Sequence, residues 1–198
     1  MQNQSWMREW DPIVESIGND LLTDGSTDPV GADPVDLSSI RRWCEPLEFE
    51  CGLHADKGTA IGFGFADVIA PYTAIASFAL PPVWEQGRSA VFEDVGRDAQ
   101  PTRSPVSAID LPGAPSTSGF FATEVENLYL RPVSVGDRVR RTSRRLVACV
   151  PKQTKVGRGA FVTFESTLVD QYDEPVAINR TTYFYYRAVQ EAASVEGR

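Results

Sequence analysis

Residues 52–82 read GLHADKGTAIGFGFADVIAPYTAIASFALPP, and the passage from a glycine-bearing turn into an apolar run decides the fold. Pro71 suits the first turn of a helix, where its missing N–H is no loss. From Tyr72 to Leu80 the residues are mostly small or apolar, and Pro81 and Pro82 close the run. The pattern predicts a helix over 71–80, apolar nearly all round because protein wraps it. Downstream the periodicity changes. ATEVENLYL (122–130) alternates, and RVRRTSRRLVACV (138–150) is long and basic. AFVTFESTLVDQY (160–172) and VAINRTTYFYYR (176–187) are rich in β-branched and aromatic residues. The turn signals PVSVGD, KVGRGA and DEP separate these runs. Four long strands after one buried helix predict an α+β domain with an antiparallel sheet.

Upstream, Trp6, Trp10, Ile13, Val14 and Ile17 recur at helical spacing over 5–18, with Gly18 as the stop. Residues 19–37 mix Gly, Pro and Asp and read as a loop with room for one short strand. Asp36 or Ser38 can cap a second helix through Ile40, Trp43 and Cys44, which Pro46 keeps short. Residues 83–119 form a long connection carrying Pro101, Pro105, Pro112 and Pro115. Such a connection is a lid, a partner-facing loop or a partly ordered insert. The organisation expected is an N-terminal helix and linker (1–34), one domain (35–187) with an insert at 83–119, and a C-terminal tail (188–198).

With 198 residues and 21.8 kDa the chain is long enough to bury one substantial core. Its 27 carboxylates against 19 Lys and Arg give a net charge of −8, which argues against a general nucleic-acid binder. Nine Lys and Arg against one carboxylate, Asp137, fall within 131–158, so an acidic body carries a basic hairpin. That hairpin is a solvated strand face or a dock for a phosphate-bearing ligand or an acidic partner. Cys44, Cys51 and Cys149 show no CxxC spacing and suggest neither disulfides nor zinc, which fits a reducing cytoplasm. The N-terminal residues carry Arg8, Glu9, Asp11 and Glu15 and lack the apolar centre of a signal peptide. No stretch approaches the roughly 20 apolar residues of a membrane span. His54 is the only histidine, which removes any metal site needing two imidazoles. No metal or cofactor is expected.

Three local sequences in order carry a resemblance: the glycine-rich approach, the helix beginning Ile69-Ala70-Pro71, and Arg131-Pro132-Val133 with Gly136-Asp137. Over about residues 35–187 the chain resembles the MaoC-type hot-dog dehydratases, in their FAS1-like dehydratase branch. The resemblance implies a hot-dog fold, a curved antiparallel sheet wrapped around one central helix. It implies reversible addition of water to a trans-2-enoyl thioester of coenzyme A or acyl carrier protein, and pairing with a second hot-dog unit in a homodimer or heterodimer. The hydratase signature runs Asp, four residues, His, one residue, Asp; here His54-Ala55-Asp56 matches its second part, and position 49 is Phe.

Matched in that register, His54 is the candidate acid/base, with Glu50, or Glu48, as a second group displaced by one residue. The backbone amide of Tyr72, the first donor after Pro71, is the candidate oxyanion site. Phe49 would stand against the substrate, and the carrier nucleotide would lie along Lys152, Lys155 or Arg158. Asp56 reads as a helix or turn cap, Ser77 as a packing residue, and Tyr183, Tyr185 and Tyr186 as sheet-packing residues. The expected function is an enoyl-thioester hydratase or dehydratase. The alternative is a non-catalytic acyl-binding subunit of a heteromeric hydratase, which Phe49 favours. A hot-dog thioesterase comes last, because residues 71–80 hold no carboxylate.

Overall fold

The computed structural model describes residues 5–21, 30–92, 111–142 and 144–188. A 3-10 turn over Ser5–Trp10 leads into α1 (Asp11–Glu15), and Gly18 ends the segment with a φ of 95°. Trp10 and Ile13 are buried whereas Val14 and Ile17 are exposed, so the predicted stripe contacts the body through its first half. After β1 (Asp20–Leu21) comes α2 (Leu37–Cys44), capped by Asp36, whose carboxylate accepts the Ser38 and Ser39 amides at 2.9 and 3.0 Å. Ser38 therefore lies inside the helix, and its hydroxyl also donates to Asp36. Pro46 falls in a 3-10 turn, Glu45–Leu47, as its missing N–H requires. A further helix, α3 (Lys57–Gly62), has no counterpart in the sequence reading; four of its six residues are Gly, Ala or Thr.

The central helix is shorter than the apolar run. It is a 3-10 turn, Tyr72–Ala74, continuing into α4, Ile75–Phe78. Ala74, Ile75 and Ala79 are buried, but Tyr72, Thr73, Ser77 and Leu80 are exposed, so the predicted all-round burial holds on one side only. Pro81 and Pro82 turn the chain away before a further helical turn can form.

Five strands follow: β2 (Gly119–Tyr129), β3 (Arg140–Arg141), β4 (Arg144–Gln153), β5 (Gly157–Val169) and β6 (Pro175–Ala188). All pairings are antiparallel, in the order β1-β4-β5-β6-β2, with β3 beside β5. The basic run predicted as one strand divides between Arg141 and Arg144. Two apolar clusters fill the concave side. Val35, Ile40, Val68, Ile75 and Val133 join the central helix and α2 to one end of the sheet. Trp10, Ile13, Leu146, Val162 and Phe164 join the N-terminal helix to the other. This is the hot-dog arrangement. Residues 93–110 of the predicted insert and the tail beyond 188 lie outside the described residues, as do 1–4 and 22–29. Among the described residues no helix is long and apolar enough to cross a membrane.

The fold also joins the two sequences that carried the resemblance. Ile69 bridges Ser134, the Ala70 amide donates to the Val133 carbonyl at 2.8 Å, and the Val135 amide to Val68 at 2.9 Å. The IAP segment is thus zipped to the RPV turn.

Candidate functional site

The stretch leading to His54 is a chain of tight turns. Glu48 adopts a left-handed conformation, φ 48°, at the end of the 3-10 turn, and the Phe49 amide returns to the Cys44 carbonyl at 3.1 Å. A second 3-10 turn, Gly52–His54, brings the chain to the IAP segment. There the Ile69 amide donates to the Leu53 carbonyl at 3.1 Å, and His54 Nδ1 lies 2.8 Å from the Ile69 carbonyl. A carbonyl oxygen only accepts, so Nδ1 carries the proton in this bond. In the neutral imidazole the lone pair then resides on Nε2, which makes no hydrogen bond among the described residues. Main-chain bonding has fixed the ring's tautomer and orientation, and Nε2 is left as the base.

His54 lines an open groove of about 720 Å³, shared with Leu37, Arg41, Glu48, Phe49 and Glu50. The Phe49 ring lies 5.4 Å from the imidazole, centroid to centroid, at 37°. Position 49 therefore stands beside the histidine, as the register of the resemblance implies, but it offers an apolar ring. Glu48 and Glu50 are both exposed on the groove and neither hydrogen-bonds to His54 among the described residues. Asp56 is turned away: its carboxylate caps α3, accepting the Thr59 amide and hydroxyl, each at 2.7 Å. Those bonds hold its pKa below the usual carboxylate value.

Tyr72 opens the central helix, three residues after the carbonyl that holds His54. Its amide finds no acceptor among the described residues, and its half-exposed ring packs 5.2 Å from that of Tyr129. Trp43 Nε1 donates to Thr73 Oγ1 at 3.3 Å, pinning α2 to the same helix start. His54, Phe49 and Glu50 thus share the groove, and Tyr72 follows three residues after the carbonyl that holds His54 without lining it.

Lys152 and Arg158 stand away from the groove. They flank the β4–β5 hairpin, with Lys152 Nζ 6.0 Å from the Phe161 ring centroid and Arg158 Nε donating to Gln153 at 3.2 Å. Along β5, Arg158 is ten residues from Leu168, which packs at the His54 end, or about 33 Å of strand. The antiparallel register keeps them from the same chain's histidine. Cys44 and Cys51 enter the groove without having been read as site residues; burial, then Cys51, raises the Cys44 pKa. Among the described residues no group of three or more His, Cys, Asp or Glu is placed to hold a metal ion.

A family described as FAS1-like, dehydratase domain region, matches residues 25–179. No curated protein matches the chain in sequence. A chain of the ChsH1–ChsH2 complex from Mycobacterium tuberculosis superposes with a TM-score of 0.60 at 22% identity, over 93% of this chain and 98% of that one. The monoamine oxidase regulatory protein from Archaeoglobus fulgius gives 0.54 at 18% identity, over 87% and 99%. The MaoC-like dehydratase from Rhodospirillum rubrum gives 0.53 at 16% identity, over 85% and 99%. At these identities the likeness is one of fold.

Proposed function

The chain belongs to the FAS1-like dehydratase family, and from that premise we propose that it is a hydro-lyase adding water reversibly to a trans-2-enoyl thioester. One observation carries the reading: an imidazole anchored through Nδ1 in an open groove, with Nε2 unbonded among the described residues. In the hydration direction Nε2 takes a proton from water as the oxygen bonds to Cβ. The imidazolium then returns a proton to Cα, so the imidazole ends as it began. The thioester oxygen, negative in between, is met by the Tyr72 amide. Glu50 or Glu48 can orient the water from the groove wall, and the Phe49 ring excludes solvent from one side of the imidazole. The substrate carrier is coenzyme A or acyl carrier protein, and the compartment is the cytoplasm.

Phe49 favours a second reading, in which the chain binds the acyl group and completes the site of a catalytic partner. A partner of the same fold suits the sheet. β2 is its outermost strand, and it exposes Phe120, Phe121, Val125 and Leu128. The ChsH1–ChsH2 neighbour is itself a complex of two proteins. In such a pair, Lys152 and Arg158 would be available to a carrier nucleotide bound at the partner's site.

Hydration of crotonyl-CoA, followed by loss of the enoyl absorbance, tests both readings. The enzyme reading expects turnover by the chain alone and a loss of about 10²–10⁴-fold in His54→Ala. Full activity in that variant would remove His54 from the mechanism. Turnover only after a second hot-dog subunit is added would establish the subunit reading.

A further inference from the structure

The concave side of the sheet is apolar at its two ends and cationic between them. Because the central helix stops at Phe78, a cavity of about 350 Å³ opens between it and the strands. Its walls include Ala76, Leu80, Val125 and Phe164, and its floor carries Arg141 and Arg144. Arg141 Nη1 donates to Ser166 Oγ and to Asn179 Oδ1, each at 2.7 Å. Asn179 is in turn fixed by donating Nδ2 to Asn127 Oδ1 at 2.8 Å. Ser166 and Asn179 are 5% and 6% exposed, so this guanidinium is held by a buried neutral network.

Neither arginine meets a carboxylate among the described residues, and the Arg144 side chain makes no hydrogen bond there. Most of the other strand arginines differ: Arg140 pairs with Asp173, Arg180 with Glu165 and Arg187 with Glu9, and Arg131, just beyond β2, pairs with Asp170. Burial, and then repulsion from Arg144, lowers the Arg141 pKa. Two half-buried neighbouring cations with no carboxylate among the described residues are costly, and an anion between them offsets that cost. The apolar walls accept a carbon chain, and a planar carboxylate matches the guanidinium fork.

We propose that Arg141 and Arg144 receive the distal carboxylate of the acyl chain, so that the substrate class is the monothioester of an unsaturated dicarboxylic acid. This rests on the reading of His54 and Tyr72 as the thioester end of the site. The distance suits it: Ser77, on the cavity wall, is five residues along the helix from Tyr72, or about 8 Å, the length of a short acyl chain.

Calorimetric binding of trans-2-hexenedioyl-CoA and of trans-2-hexenoyl-CoA, its neutral counterpart, tests the assignment. The wild-type chain should prefer the acidic thioester by about tenfold or more. Arg144→Gln should bring that ratio close to one. The Arg144 side chain has no hydrogen bond to lose and its charge repels Arg141, so the variant should melt no lower than the wild type, and Arg141→Met provides a second reading of the ratio. Equal wild-type affinities, no measurable binding of the acidic thioester, or a ratio unchanged in Arg144→Gln would each overturn the proposal. So would an equal weakening of both thioesters and of free coenzyme A, which would place the carrier's phosphates on these arginines. An Arg144-dependent preference without turnover would sink the hydratase reading and leave the ligand class standing. Turnover of both thioesters with no preference would do the reverse.

Discussion

Arg131 and Asp170 show what a single motif residue does. Arg131 lies in the RPV segment and would pass as a ligand-facing cation, yet its Nη2 is 2.5 Å from Asp170 and 3.1 Å from the Glu174 carbonyl. It clamps the β5–β6 turn. Asp137, at the end of the same motif, accepts the Ser134 amide at 2.8 Å, and Gly136 supplies the turn's φ of 97°. Burial alone would raise the Asp170 pKa, but the Arg131 guanidinium and the Glu174 and Tyr172 amides outweigh it and hold it low. A depressed carboxyl stabilises the fold above its unfolded pKa of about 3.9 and loses that contribution as pH falls through the folded value. Asp170→Asn should therefore cost about 2 kcal/mol at neutral pH in denaturant unfolding. The difference from wild type should shrink below about pH 4. Position 54 stood out in the sequence because its spacing to the IAP segment is a sequence property. The bond that sets its tautomer was not, since it depends on the Ile69 carbonyl meeting the ring in space.

At the scale of elements, strands were easier to read than helices. Four alternating or β-branched runs end close to where β2, β4, β5 and β6 end, because a period of two survives any packing environment. Helix length depends on what continues the backbone bonding, and the prolines after Leu80 shortened the central helix below its apolar run. α2 was found through its cap. Hydroxyls and amides of Ser38 and Ser39 lower the Asp36 pKa to about 2. Asp36→Ala should lower stability by about 1 kcal/mol. In pH-dependent melts, the wild-type advantage should be complete above about pH 4 and fade between pH 4 and 2, the carboxyl's unfolded and folded values. Gly31 marks a close approach that the sequence hid. A Cβ there would lie 1.8 Å from the Phe78 carbonyl oxygen and 2.9 Å from that of Val139. Gly31→Ala should destabilise the chain by about 3 kcal/mol or more, because both obstructing atoms are backbone, and thermal melting would register it.

For the whole molecule, the open question is what covers β2. A strand that pairs on one side only among the described residues and exposes Phe121, Val125 and Leu128 invites a second strand. Sedimentation should give a particle of at least twice the 21.8 kDa chain mass, alone or with a second hot-dog subunit. Leu128→Lys should shift that equilibrium toward the single chain. A monodisperse single chain at micromolar concentration, in both the presence and the absence of such a subunit, would exclude pairing.

The sequence alone determined the strands, the capped second helix and the segment that places His54. Each rests on local periodicity, capping or spacing, which neighbouring residues carry by themselves. Tertiary structure decided three things. It set the Phe49 ring beside the imidazole, separated Lys152 and Arg158 from that site, and left Arg141 and Arg144 without a carboxylate among the described residues. These depend on strand register and on where the central helix stops, contacts between residues far apart in the chain. The basic stretch that read as one surface is thereby divided into clamps, a hairpin tip and one pair of cations facing a cavity.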